Sequence, residues 1–160
     1  MTTSRRMCLG CMSLILAGCA TPRAPQADPQ AGWAGRLALQ IQSDPPQSLS
    51  AGFELQGSAQ QGDMVLLSPI GTTLARLAWT PQSAVLEQGH QHMQGTSLQA
   101  LSEKLTGTAL PIAALFEWLA GRPATAEGWQ ADLSGHEQGR LVAQRLTPAP
   151  AAVLRILLDR

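Results

Sequence analysis

Cysteine, charged residues and aromatic residues are scarce in this sequence. All three cysteines lie within the first 19 residues, so the chain beyond Cys19 can form neither a disulfide nor a cysteine-based metal site. Charged residues make up 14% of the chain and the formal net charge is zero. This balance argues against a nucleic-acid partner, which needs clustered lysine and arginine. The folded part must therefore be stabilised by packing of its apolar residues.

Long hydrophobic runs are also missing. The apolar run from Met7 to Ala17 is roughly ten residues, too short to cross a hydrocarbon core of about 30 Å as a helix. The basic pair Arg5-Arg6 precedes it and small residues follow, which is the layout of a secretory signal. We therefore expect residues 1–18 to be a cleaved lipoprotein signal peptide.

The junction Leu16-Ala17-Gly18-Cys19 resembles the lipobox of bacterial lipoproteins, in which the cysteine thiol receives a diacylglycerol and the new N-terminus is acylated. The alternative is an ordinary secreted protein with a chance cysteine. Two or more acyl chains give stable membrane attachment, whereas one is marginal. Ala20 rather than aspartate follows Cys19. By resemblance to sorted lipoproteins, this implies a lipid anchor on the periplasmic face of the outer membrane, and we expect no other cofactor.

The rest of the chain divides into a tether and one domain. Residues 19–31 carry three prolines and no large apolar side chain, which predicts a solvated tether. Residues 32–160 are enough for one domain and not two.

Periodic apolar residues predict strands on both sides of two helices. One helix is expected to begin after Thr96 or Ser97 and to end at Gly107, and a second to begin near Pro111 and to end at Gly121. The predicted strands cover residues 35–42, 49–56, 64–67, 74–79, 84–87, 128–133, 140–146 and 153–158. This order predicts a mainly β fold with some α: a strongly curved antiparallel sheet, an incomplete β-barrel, with helices on one face around an apolar space.

Four motifs beside the lipobox resemble the LolB family, over nearly the whole chain from Trp33 to Arg160. They are Trp33-x-Gly35-Arg36, Ser68-Pro69-Ile70-Gly71, Leu105-Thr106-Gly107-x-x-Leu110-Pro111 and Trp118-Leu119-x-Gly121-x-Pro123. The resemblance implies a LolA/LolB-like incomplete barrel closed by helices around an apolar cavity that holds acyl chains. It also implies a non-enzymatic, monomeric receptor that takes acylated lipoproteins from the periplasmic carrier LolA and inserts them into the inner leaflet of the outer membrane.

The resemblance also assigns residues to roles. Pro69, Ile70 and Gly71 would form a membrane-insertion loop with Ile70 at its tip, although spacing alone favours Ile70 as a turn residue folded back into the core. The segment 124–127 is shorter than in the family, which predicts a smaller sheet and a cavity more open on that side. The residues expected to line the acyl cavity are Leu37, Leu39, Ile41, Phe53, Leu55, Leu66, Leu101, Leu105, Leu115 and Leu119.

Other interpretations receive less support. No G-x-S-x-G or phosphate loop is present, which argues against an enzyme. The motif His90-x-His92 with His136 suggests zinc only weakly, and solvated loop histidines fit better. Arginines at 36, 76, 140 and 145 are interpreted as solvated strand residues, or else as contacts for an acidic carrier surface or anionic headgroups. The alternative function is a structural outer-membrane lipoprotein, a scaffold without a ligand cavity.

Overall fold

A computed structural model describes residues 32–159, so the predictions that concern residues 1–31, including the acylation of Cys19, lie outside the described residues. The described part forms nine strands, two α-helices and a short 3-10 helix at His136–Gln138. The strands are β1 Gly32–Ile41, β2 Gln47–Gly57, β3 Gly62–Leu67, β4 Thr73–Trp79, β5 Ala84–Gln88, β6 Gln91–Gly95, β7 Trp129–Asp132, β8 Arg140–Arg145 and β9 Ala152–Leu158. The helices are α1 Leu98–Thr106 and α2 Ile112–Leu119.

All nine strands belong to one antiparallel sheet in the order β6-β5-β4-β3-β2-β1-β9-β8-β7. The C-terminal strand β9 pairs with β1 and thereby joins the two halves of the chain. Strands β6 and β7 are the two edges, so the sheet is open rather than a closed barrel. The predicted mainly β, open antiparallel architecture is therefore confirmed.

Strand β6 was not predicted, and its histidine was wrongly assigned to a loop. Gln91–Gly95 contains a single large apolar residue, Met93, and so lacks the alternation that marks a half-buried strand. Its pairing with β5 places His92 opposite Glu87 in a regular hairpin. Backbone hydrogen bonds to β5 determine the extended conformation of this segment, and the side chains of the segment do not reveal that pairing.

The inward face of the sheet follows the predicted alternation. In β1 the odd-numbered residues from Trp33 to Ile41 point inward, and Leu39 and Ile41 are almost fully buried. The run 64–67 also alternates: Met64 and Leu66 are buried while their neighbours are only partly so. All four residues of the run are apolar, but only Met64 and Leu66 are fully buried.

Helix α1 begins and ends at the predicted residues. The Ser97 hydroxyl oxygen accepts a hydrogen bond from the Ala100 amide at 3.2 Å, which caps the first turn. Gly107 ends the helix in the left-handed region, with φ +79°, and its amide donates to the Glu103 carbonyl. The helix packs with Leu101 buried against β4, β5 and β6. Local capping chemistry therefore determines these bounds.

Helix α2 lies against the middle of the sheet, and its contacts require the sheet to curl. The Phe116 ring meets Trp33 of β1 edge-to-face, with 5.5 Å between ring centroids. The same ring meets Trp79 of β4 at 6.2 Å. Strands β2 and β3 separate β1 from β4 in the sheet. Because one ring touches both tryptophans, the sheet curls around this helix.

Two hydrogen bonds fix the far end of α2. The Trp118 indole Nε1–H donates to the Ala124 carbonyl at 3.1 Å, which holds the segment that follows the helix. The His136 ring Nε2 lies 2.9 Å from the Leu119 carbonyl oxygen and ties the β7–β8 connection to the helix. Within residues 32–159, no helix is both long and apolar enough to cross a membrane.

Replacing Phe116 by alanine tests this arrangement. We expect Phe116→Ala to lower the free energy of unfolding by about 3–5 kcal/mol, because it removes two aromatic contacts and leaves a cavity. Urea unfolding followed by tryptophan fluorescence measures the loss. Leu74→Ala, at a side chain that is 41% exposed, is the control and should change stability by only about 0.5 kcal/mol. Equal small losses for both variants would contradict the role of Phe116.

Candidate functional site

The loop between β3 and β4 is a compact turn closed by hydrogen bonds at its base. The Ser68 amide donates to the Thr72 carbonyl at 2.8 Å, and the Thr72 amide donates to the Ser68 hydroxyl oxygen at 3.1 Å. The Gly71 amide donates to the Ser68 carbonyl at 2.9 Å. Gly71 has φ +83°, a conformation that side-chain-bearing residues rarely adopt. These bonds fix the direction in which the two residues at the apex point.

Ile70 at this apex points into solvent. Its side chain is 89% exposed, the highest value among the exposed large hydrophobic residues. Leu74, the second residue of β4, is exposed as well, at 41%. The expectation from spacing alone, that Ile70 folds back into the core, is therefore wrong for this loop. A single exposed aliphatic residue is common on protein surfaces, so its position at the apex of a fixed turn is what makes Ile70 a candidate for contact with another apolar phase.

The ten residues expected to line an acyl cavity all belong to the apolar core. Leu37 and Leu105 are partly buried and pack against the others, which are buried. Ile41 and Phe53 also line two separate surface pockets. The strand alternation and the helical spacing that selected these positions identify inward-facing residues, but they do not distinguish a filled core from a hollow one.

An open cleft lies beside the first turn of α2, with a volume of about 630 Å³. Ligand sites in proteins typically enclose roughly 300–1,000 Å³. Its walls come from the start of α1, the α2 N-terminus, the segment 125–127, and the paired strands β7 and β8. Its lining residues are Ala59, Leu98, Gln99, Ala109, Leu110, Pro111, Ile112, Ala113, Ala114, Thr125, Ala126, Glu127, Trp129, Arg145 and Pro148. The cleft thus adjoins the segment 124–127, which we expected to be shorter than in the family, and none of the ten predicted lining residues is among those that form it.

Arg145 is the residue that sequence reasoning misassigned. It was interpreted as solvated, but it points inward from β8 and is only 7% exposed. Its Nη2 donates to the Pro150 carbonyl at 3.0 Å, and its guanidinium carbon lies 5.6 Å from the ring centroid of Trp129. The signal was present in the alternation, since Leu141 and Ala143 share its side of the strand. A charged residue at an inward position of a strand is unusual in proteins, and it therefore indicates a specific role.

Arg36, Arg76 and Arg140 are exposed, as expected. Arg76 pairs with Asp63 at 2.7 Å, and this hydrogen bond raises the pKa of Arg76. Arg36 and Arg140 lie on the outer face of the sheet, one on each side of Leu157 in the register. They flank an aliphatic side chain that is 48% exposed.

The histidines are not brought together into a metal centre. His136 contacts the Leu119 carbonyl, while His92 lies 3.5 Å from a Glu87 carboxylate oxygen in a different hairpin. Across residues 32–159, no three histidine, cysteine or acidic side chains are grouped in a way that could hold a metal ion. His136 is therefore best described as a contact that fixes α2.

Comparison with known proteins gives one consistent result. Residues 31–147 match the family model described as outer membrane lipoprotein LolB. A protein of Bordetella petrii named outer-membrane lipoprotein LolB is 30% identical, over 91% of this chain and 87% of its own length. Proteins with the same name from Cupriavidus taiwanensis and Cupriavidus pinatubonensis are 30% and 32% identical, over 95% and 88% of this chain and 85% and 72% of their own lengths.

The backbone of the exposed loop depends on Gly71. We expect Gly71→Ala to lower the free energy of unfolding by about 1–2 kcal/mol, because alanine is strained at positive φ although the space around it is open. Chemical unfolding measures the loss. Gly95→Ala is the control, since its φ is ordinary and its nearest neighbours would lie 3.9 Å from the new Cβ. A Gly71 variant as stable as the Gly95 variant would show that the loop does not need this conformation.

Proposed function

This chain belongs to the LolB family, and we propose that it receives lipoproteins from a LolA-like periplasmic carrier and inserts them into the outer membrane. The observation that carries the proposal is Ile70, 89% exposed at the apex of a turn whose base is fixed by hydrogen bonds. The family is one of lipoproteins and not of enzymes. The chain acts as a monomer, and its cargo is the acylated part of other lipoproteins.

Membrane attachment is assigned to the N-terminal part of the chain. Residues 1–18 are removed as a signal peptide, Cys19 carries the acyl chains, and residues 20–31 link the anchor to the domain. Two or three acyl chains on one residue give stable attachment. The domain of residues 32–160 then works at the periplasmic face of the outer membrane.

Cargo transfer runs downhill in free energy, because the sequence carries no phosphate loop to supply nucleotide energy. Each buried methylene contributes ~0.8 kcal/mol, so exposing one acyl chain to water costs on the order of 10 kcal/mol. Passage through free solution is therefore strongly disfavoured. The carrier docks directly, and the acyl chains move from one apolar site to the next.

The acyl chains bind in the cleft beside α2. The residues first expected to line the acyl site are buried or partly buried in the apolar core. The cleft, by contrast, is open to solvent and has apolar walls formed by Leu98, Leu110 and Ile112. A chain that lies there remains accessible to both a docking carrier and a membrane. Parting of the helices from the sheet would extend the site inward.

Release follows when Ile70 enters the bilayer. Burial of one large aliphatic side chain contributes about 1.5–3 kcal/mol, which is enough to orient the domain without trapping it. Leu74 lies on the same hairpin and adds apolar surface. Contact is thus reversible, as repeated rounds of delivery require.

A structural lipoprotein without a ligand site is the second candidate, and the burial of the expected lining residues in the apolar core favours it. Such a scaffold would bind neither a fatty acyl probe nor a lipopeptide. The acyl-binding measurement below therefore distinguishes the two functions.

Ile70→Glu tests the loop. We expect this variant to fold and bind acyl ligands normally but to deliver lipoprotein into vesicles about tenfold more slowly or worse, since it loses about 1.5–3 kcal/mol of burial. Transfer of a fluorescent lipoprotein to vesicles measures the rate. Leu157→Glu is the matched control, because that exposed aliphatic lies between Arg36 and Arg140 on the outer face. Normal delivery by the Ile70 variant would exclude the role of the loop.

Ala113→Trp tests the acyl site. Ala113 lines the cleft on an exposed side of α2, so a tryptophan there occupies the space without disturbing the core. We expect on the order of tenfold weaker binding of a dansyl-labelled fatty acid, a loss of ~1.4 kcal/mol. The control is Ala100→Trp, on an exposed part of α1 that does not line the cleft. Unchanged binding in the Ala113 variant would show that acyl chains bind elsewhere, and no binding by the unmodified chain would favour the scaffold.

A further inference from the structure

The cleft contains one feature that an acyl chain alone does not explain, the guanidinium of Arg145. An acyl chain needs only apolar walls, yet this side chain is 7% exposed and forms part of the lining. A buried charge is costly unless it is paired or fully hydrogen-bonded. Within residues 32–159 no carboxylate forms an ion pair with Arg145.

The hydrogen bonding of Arg145 is incomplete. Arginine has five N–H donors. The Pro150 carbonyl accepts one of them, and the Trp129 ring packs beneath the guanidinium. The buried Nε–H has no acceptor in the part of the chain that the structure describes. Unsatisfied buried donors are rare in native proteins and call for an explanation.

The N-terminus of α2 adjoins the same cleft, which it lines through Ile112, Ala113 and Ala114. The Ile112 amide donates to the Leu110 carbonyl at 2.9 Å, and Pro111 at the N-cap provides no side-chain acceptor for the amides that follow. The cleft therefore combines apolar walls with the hydrogen-bond donors of Arg145. The complementary ligand is an apolar chain that carries acceptor oxygens at one end.

We propose that Arg145 binds the ester carbonyl oxygens at the head of an acylated ligand while the acyl chains lie against the apolar walls of the same cleft. This inference rests on the proposed function and names the part of the cargo that is recognised. A diacylglyceryl group linked to cysteine carries two such esters close to the branching point of its chains. Arg145 would hold that point and leave the attached polypeptide outside.

The neighbouring charge favours a neutral acceptor over an anion. Glu127 lines the same cleft, is exposed, and forms no ion pair with Arg145 among the described residues. Its carboxylate would repel a phosphate group but not an ester carbonyl. Both lipoproteins and phospholipids contain acyl esters of glycerol, so the shared chemistry is the ester linkage.

The test compares an ester ligand with an ether ligand. The full mature chain carrying Cys19→Ala is titrated with a dipalmitoylglyceryl-cysteinyl peptide and with its dihexadecyl ether analogue, each displacing a dansyl-labelled fatty acid. We expect the unmodified site to prefer the ester by on the order of tenfold, as charge-assisted hydrogen bonds do. Arg145→Met, which keeps a long apolar stem over Trp129, should abolish the preference for the ester over the ether.

Arg140→Met is the matched control, because it makes the same change at an exposed position of the same strand and should retain the ester preference. A thermal melt establishes that each variant is folded, and the ester–ether comparison on the unmodified site needs no variant. Equal binding of the two ligands, or an Arg145→Met loss that is equal for both, would overturn the proposal. If neither ligand displaces the probe, the proposed function itself fails.

Short-chain phosphatidylglycerol and its ether analogue identify the source of the ester. An ester preference that depends on Arg145 in both the peptide and the phospholipid supports a site for acyl esters of either origin. The same preference in the peptide alone supports a site for lipoprotein cargo. If phospholipid binding depends on Arg145 but is equal for the ester and the ether, the site binds phosphate and the proposal is contradicted.

Discussion

The contact of Phe116 with two tryptophans is the interaction on which the rest of the structure depends. Trp33 and Trp79 belong to strands that two other strands separate, and the ring between them holds α2 against the curled sheet. The hydrogen bond from Trp118 then fixes Ala124, where the segment beside the cleft begins. The cleft is therefore a consequence of how one helix is seated, and its position follows from aromatic packing in the core.

The proposed activity uses two separate features, a cleft that shelters an acyl ligand and an exposed tip that meets the membrane. Exposing an acyl chain to water costs on the order of 10 kcal/mol. Both features therefore meet the same requirement, which is that the acyl chain passes directly from one apolar environment to another. In the proposed mechanism, Ile70 brings the domain to the bilayer, while Arg145 distinguishes the polar head of the ligand from its chains. The proposed acylation of Cys19 determines where delivery takes place and not how it takes place.

Sequence patterns predicted those features of the fold that depend on residues close together in the chain. The Ser97 cap, the Gly107 terminus and the turn that contains Ile70 each depend on residues close together in sequence, whereas only the family resemblance led us to expect an exposed Ile70. Strand β6 was missed because pairing with β5 creates it, and Arg145 was missed although it shares the inward side of β8 with Leu141 and Ala143. The cleft could not be predicted from alternation, which identifies inward residues without revealing whether they touch one another.

The most direct test of the account is to locate a bound acyl chain. Of the four tryptophans, Trp129 is the one that lines the cleft. Nuclear Overhauser contacts between the methylene protons of a bound lipopeptide and the tryptophan indoles would identify its position. The account predicts contacts with Trp129 and with the Ala113 methyl group. Contacts confined to Trp79, or no contact with any residue of the cleft, would contradict it.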